Sequence, residues 1–203
     1  MSRMGQSLSS PSERPAPRSA ELRTLCWSRA VDTRATSFIF ERRARSLRWK
    51  IQVLTFSGFV GVLVLGAFVA AFGVSSQAVP YLITGAAVVT IIQIAVALWA
   101  AIAKWPEGYA YALESVADND RISLAFRDLA QSPPPVTVFE YAFGQLQNQD
   151  STRASSDHRV GVSHRDRRRG YRYSLLMFSR KCPNCGNVPK SMKSVRCGVC
   201  GDF

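Results

Sequence analysis

Hydrophobic and polar positions are segregated along this chain. From Ile51 to Ala103, 53 consecutive residues include no Asp, Glu, Lys or Arg. A helix in a soluble core needs only about 10–14 apolar residues, whereas a membrane span needs about 20. The stretch is therefore long enough for two spans. Gly73-Val74-Ser75-Ser76-Gln77-Ala78-Val79-Pro80 breaks it near the middle with turn-forming residues. The pattern predicts a two-span helical hairpin: one span at about 51–72, a tight uncharged loop, and a second span at about 81–103.

The flanks read as helices of other kinds. Residues 1–19 are rich in Ser, Pro and Arg and have no apolar period, which predicts disorder. Residues 20–50 contain no Gly or Pro, and apolar residues recur at Leu22, Cys26, Ala30, Ala35, Phe38 and Ile39. That spacing predicts one helix face, on a helix able to run directly into the first span. After the second span, residues 104–150 read as amphipathic helices. Trp105-Pro106 pairs an interfacial aromatic with a helix breaker. Glu107–Leu129 follows as one or two helices, with a possible break at Asp118-Asn119-Asp120 and apolar contacts from Tyr111, Leu113, Ile122, Leu124, Phe126 and Leu129. Pro133-Pro134-Pro135 ends that unit, and Val136–Gln147 supplies a further helix. Gln149–Ser163 reads as a polar loop. Residues 151–178 form a basic linker or helix before a terminal module at 179–203. There is no internal repeat.

Small and polar positions mark the hairpin. The first span carries Gly58, Gly61 and Gly66 with Ala67, Ala70 and Ala71. Lipid gives helices no hydrophobic drive to associate, so small residues permit close approach, either of one span to the other or of one copy to another. In the second span Thr90 and Gln93 share a face. An amide in hydrocarbon is costly without a partner. Two readings are open for this pair: a hydrogen bond to the first span, or a polar lining built by several copies, since one hairpin encloses no pore.

Charge orients these elements. The net charge is +12, and all of the charged residues lie outside 51–103. Residues 1–50 hold 11 Lys/Arg against 4 Asp/Glu, residues 104–203 hold 15 against 10, and the loop between the spans holds none. Arg42, Arg43, Arg45, Arg48 and Lys50 precede the first span and Lys104 closes the second. By the positive-inside rule both termini are expected in the cytoplasm. An apolar stretch that begins about 50 residues in and runs this long does not read as a cleaved signal peptide. A second basic run, Arg159 and then Arg165 to Arg169, precedes Tyr171 and Tyr173. With two spans upstream, an anionic membrane surface is favoured for it over single-stranded nucleic acid.

The chemistry is concentrated at the C-terminus, KCPNCGNVPKSMKSVRCGVCGDF. Cys182/Cys185 and Cys197/Cys200 are two CxxC pairs separated by 11 residues, a spacing suited to one tetrahedral zinc held by four thiolates. Gly186 and Gly201 follow the pairs and allow a sharp turn. Four thiolates about Zn²⁺ sum to a charge of about −2, which Lys181, Lys190, Lys193 and Arg196 are placed to offset. A reducing cytoplasm keeps the thiols available for metal, with disulfides as the competing reading. His158 and His164, the only histidines, lie outside the module, so the zinc is expected to be structural and not catalytic. Cys26 reads as a small buried residue. No phosphate-binding glycine loop and no nucleophile–base motif is present, and no catalytic residue is expected.

The helix ending ERRARSLRWK, the two-span hairpin and the cytoplasmic helices resemble a SLATT domain. The Cys182/Cys185/Cys197/Cys200 tail resembles its subgroup of mobilome CxxCx(11)CxxC proteins, carried on mobile elements. The resemblance implies an all-α protein of the bacterial inner membrane that acts as an effector in conflict systems. It implies an oligomer that permeabilises the membrane on a signal from a partner protein, one from a nucleotide-signalling system among the options. Lipid, further copies of the chain and a zinc ion are thus the expected partners. The alternative expectation is a membrane-tethered adaptor whose zinc ribbon binds protein or nucleic acid.

Overall fold

The structure, a computed structural model, describes residues 17–72 and 79–203. Five helices account for most of it: α1 (Pro17–Phe72), α2 (Val79–Ile102), α3 (Trp105–Gln131), α4 (Val136–Arg159) and α5 (His164–Met177). The predicted disorder at residues 1–16 and the predicted loop at 73–78 lie outside the described residues; residues 17–19 are helical.

α1 is a single helix of 56 residues, about 84 Å long at 1.5 Å per residue. Its first part belongs to a helical bundle and its second part is the first apolar segment, with no break at Lys50. α2 supplies the second. Both are long and apolar enough to cross a membrane, with mean hydropathies of 2.0 and 2.2 over their best windows. Almost nothing in these segments is covered: between 51 and 103 Ala100 is the only described residue that is buried. A two-residue turn, Ala103-Lys104, reverses the chain from α2 into α3. Lys104 takes a left-handed backbone (φ 52°), which costs a non-glycine residue about 1–2 kcal/mol. Its N–H bonds to Ala101 O at 3.1 Å, and its own carbonyl accepts the Gly108 N–H at 2.9 Å, so both helix ends are closed through it.

α3 then returns along α1. Beyond it the core is in two parts. Phe40, Ala44 and Ala112 are buried near the apolar end. Leu22, Cys26, Ala30, Ile122, Phe126, Ala130 and Phe139 join α1, α3 and α4 at the far end. The expected α1 face is therefore present, with Phe38 half-buried and stacked on Tyr173 at 4.2 Å between ring centroids. Leu113 and Leu124 differ from expectation, being exposed on the outer face of α3.

Two expected breaks are helical instead. α3 runs through Asp118-Asn119-Asp120 without interruption, and α4 continues to Arg159 through the stretch that reads as a loop. One polar cluster explains both. The Asp157 carboxylate accepts hydrogen bonds from Tyr111 Oη (2.7 Å), Ser115 Oγ (2.9 Å) and Asn119 Nδ2 (2.8 Å). Arg153 pairs with Glu114 at 2.9 Å, Asp118 at 3.1 Å and Asp157 at 3.3 Å. Asp150, Arg153 and Asp157 recur at helical spacing and are all buried. The inward face of α4 is thus polar and largely paired, and a search for apolar periodicity passes over it.

Candidate metal centre

The cysteine module begins where α5 stops. Residues 178–203 hold no helix and no strand; they are turns held by backbone hydrogen bonds. The β-strands implied by the word ribbon are absent among these residues, because two successive knuckles do the folding. In each, the glycine after the second cysteine donates its N–H to the carbonyl of the first: Gly186 to Cys182 at 2.8 Å and Gly201 to Cys197 at 2.9 Å. The glycines serve different ends. Gly186 has φ +70°, a left-handed turn suited to glycine. Gly201 has an ordinary φ, but a Cβ there would lie 1.9 Å from Val195 O, so only the absence of a side chain lets the two strands of chain meet.

The four Sγ atoms converge within 4.8 Å of one another. Cys182 and Cys197 are 4.0 Å apart and Cys185 and Cys200 3.8 Å. A tetrahedron of sulfurs at about 2.3 Å from a central ion has edges of about 3.8 Å. None of the cysteines is in a disulfide, whose sulfurs would be about 2.05 Å apart. The donor set and its spacing therefore fit one tetrahedral metal ion. Cys182, Cys197 and Cys200 are buried and Cys185 is half-buried. The Cys197 thiol is lowered to about 6 by the Cys200 backbone N–H and the Asn184 amide, whose Nδ2 donates to its sulfur at 3.5 Å. Burial pushes Cys200 up. Binding a metal through these sulfurs requires them as thiolates and releases their protons.

The module is docked, not tethered loosely. Cys182, Cys197 and Cys200 share a core with Val31 of α1 and Leu175 of α5, flanked by Tyr171 and Phe178. Arg172 is buried and ties the halves together: Nε donates to Ser191 O at 2.8 Å and Nη1 to Cys200 O at 3.2 Å. Arg172, Asn184 and Gly170 escape the sequence reading. Gly170 brings α5 against α1, where an added Cβ would lie 2.6 Å from Ala35 O. Sequence does hold a trace of this: Gly170 and Ser174 give α5 small residues on one side of a basic helix.

Of the four expected charge-offsetting cations, Lys190 and Arg196 line a cavity with Cys185, Cys197 and Cys200. Lys181, Lys190, Lys193 and Arg196 are exposed, and among the described residues none forms an ion pair. The cations expected to flank the membrane divide into two sets. Arg42 lies 3.8 Å from Asp166, and Arg43 donates to the carbonyls of Val160 and Gly161, so these two hold the α4–α5 connection onto α1. Arg45 pairs with Glu41 at 2.8 Å within α1. Arg48 is exposed, Lys50 lies over the Trp105 ring at 5.4 Å, and Lys104 sits 3.5 Å from Glu107. In α2, Thr90 donates to Ala86 O at 2.8 Å and satisfies itself within its helix. Gln93 is half-exposed on the line of Ala86 and Ala100, and no hydrogen bond to its amide is found among the described residues.

These features define an all-helical chain with two helices of membrane-crossing length and a C-terminal four-cysteine metal centre. The chain belongs to the mobilome CxxCx(11)CxxC family, whose model matches residues 23–203. No curated protein and no solved structure matches it.

Proposed function

We propose that this chain is a SLATT-type effector of the bacterial inner membrane, with both termini cytoplasmic, that oligomerises through its hairpin and permeabilises the membrane on a partner's signal. The observation that carries the reading is Gln93. Among the described residues its amide makes no hydrogen bond, and hydrocarbon offers no partner, so a second copy is the natural source of one. The open glycine faces point the same way: a Cβ added at Gly58, Gly61, Gly66 or Gly85 would meet nothing within 4 Å. No catalytic group is assigned. Reconstituted into vesicles at rising protein-to-lipid ratio, the protein is expected to release trapped dye, and Gln93→Leu is expected to reduce release while the protein still inserts. Sealed vesicles containing cross-linkable oligomers would overturn the reading.

The ion is taken to be zinc in a structural role, because four thiolates close a tetrahedron and leave no open position. Metal analysis should give one zinc per chain, lost in Cys197→Ser; a fully folded protein without metal would refute this. A second reading is favoured by the exposed, unpaired cations of the module: a membrane-tethered adaptor that presents this module to another macromolecule.

A further inference from the structure

The C-terminal fifth of the chain carries most of its charge. Residues 159–203 hold 11 Lys/Arg and 2 Asp/Glu, a balance of +9 out of the chain's +12. Both acids are already engaged, Asp166 with Arg42 and Asp202 with Arg168. Arg165, Arg167, Lys181, Lys190, Lys193 and Arg196 are all exposed and form no ion pair among the described residues. This charge is costly to concentrate unless an anion shares it.

The bilayer is too far from the two knuckles to be the anion for their cations. The module meets α1 at Val31 through its core, and α5 meets α1 at Ile39, where a Cβ on Gly170 would lie 3.1 Å from the Ile39 side chain. Ile39 lies 12 residues before Ile51 and Val31 lies 20 residues before it. At 1.5 Å per residue along one unbroken helix, these are about 18 and 30 Å below the start of the apolar segment. Head groups occupy about 6 Å of that distance. The remaining gap of about 12–24 Å exceeds the Debye length of about 8 Å at physiological salt. Screened at that range, anionic lipid gives the module little. The start of the basic run lies nearer: Asp166 faces Arg42, nine residues before Ile51 and so about 14 Å below it, which leaves a membrane surface within reach of Arg165.

We infer that the face built by α5 and the two knuckles binds the phosphate backbone of nucleic acid. The choice of anion follows from what else the face offers. Val188, Pro189 and Val195 line a cavity together with Lys190 and Arg196, so the groove on this face is rimmed by cations. The aromatic rings nearby are occupied: Tyr173 stacks on Phe38, and Phe203 lies against Arg169. Without a free ring, bases have no stacking platform, and recognition rests on charge and is indifferent to sequence. The loop between the CxxC pairs contributes Lys190, Lys193 and Arg196 with no acidic residue among them, held on a scaffold that the metal fixes. This supplies a partner for the adaptor reading and is independent of permeation, which dye release reads separately.

The test uses the full-length, zinc-loaded protein in discs of neutral phosphatidylcholine, with a labelled duplex of random sequence followed by anisotropy. Binding is expected to weaken linearly with log salt. The triple variant Lys190→Ala/Lys193→Ala/Arg196→Ala is expected to flatten the slope by about 3 and to weaken binding about tenfold or more near 0.1 M salt. It alters no metal ligand, so retained zinc certifies its fold. Unchanged affinity and slope in that variant would overturn the inference. So would binding that appears only when the discs contain phosphatidylglycerol. Stronger binding of a polyglutamate peptide than of the duplex would also overturn it, while leaving an adaptor for acidic proteins in place.

Discussion

Arg153 shows how a buried charge shapes this chain. Its side chain is only 9% exposed and meets three carboxylates, while its Nε finds no acceptor. Removing one partner of such a pair strands the other, at a cost of about 3–5 kcal/mol. Asp157→Ala is therefore expected to lower stability by that amount, because it takes the shared acceptor from Tyr111, Ser115 and Asn119 and one of three carboxylates from Arg153. Burial, helped by the bond to Asp157, raises the Tyr111 hydroxyl to about 12, so that hydroxyl stays a donor at every working pH. Replacing both charges, as in Arg153→Met/Asp157→Leu, is expected to recover most of the loss; denaturant unfolding in detergent would check both variants. Residue identities alone concealed this cluster. Asn119 and Asp157 read as helix breakers and loop formers until each is given its partner 38 positions away.

At the scale of elements, legibility followed the length and chemistry of the buried face. The two apolar helices were readable because length and composition alone announce them, and the metal centre because thiolate spacing is local. The second half of α4 was hidden because its inward residues are charged. The docking of α5 was hidden because a glycine on a basic helix carries no apolar signal. Yet that contact sets the position of the metal module. In Gly170→Ala the new methyl must displace the α1 backbone at Ala35, an overpacking cost of about 1–3 kcal/mol. Hydrogen exchange should show α5 losing protection while α1 and α3 keep theirs. Gly144→Ala is the matched control: its Cβ meets nothing within 4 Å in mid-α4, and the change should be neutral or stabilise by about 0.5–1 kcal/mol. Equal destabilisation by both would deny the close approach its role.

On the whole-molecule scale, the decisive object is the single helix α1. Its first half is gripped by α3 and α5 and touches the metal core at Val31; its second half is the first apolar segment. A helix is stiff over this length, so a rotation or tilt imposed near Val31 reaches Phe56 and Gly58 without loss, whereas a flexible joint would dissipate it. The other link, the Ala103-Lys104 turn, is short and tightly bonded, and it ties α2 to the same bundle through α3. An event at the metal module is thus expected to move both apolar helices together. Two glycines inserted after Lys50 test this, since glycine costs a helix about 1 kcal/mol each and adds freedom. The variant is expected to insert, to keep its four-cysteine metal centre and to oligomerise, yet to release little dye from vesicles that the parent empties. If release is unchanged, the hairpin acts without instruction from the bundle, and the continuity of α1 has no part in signalling.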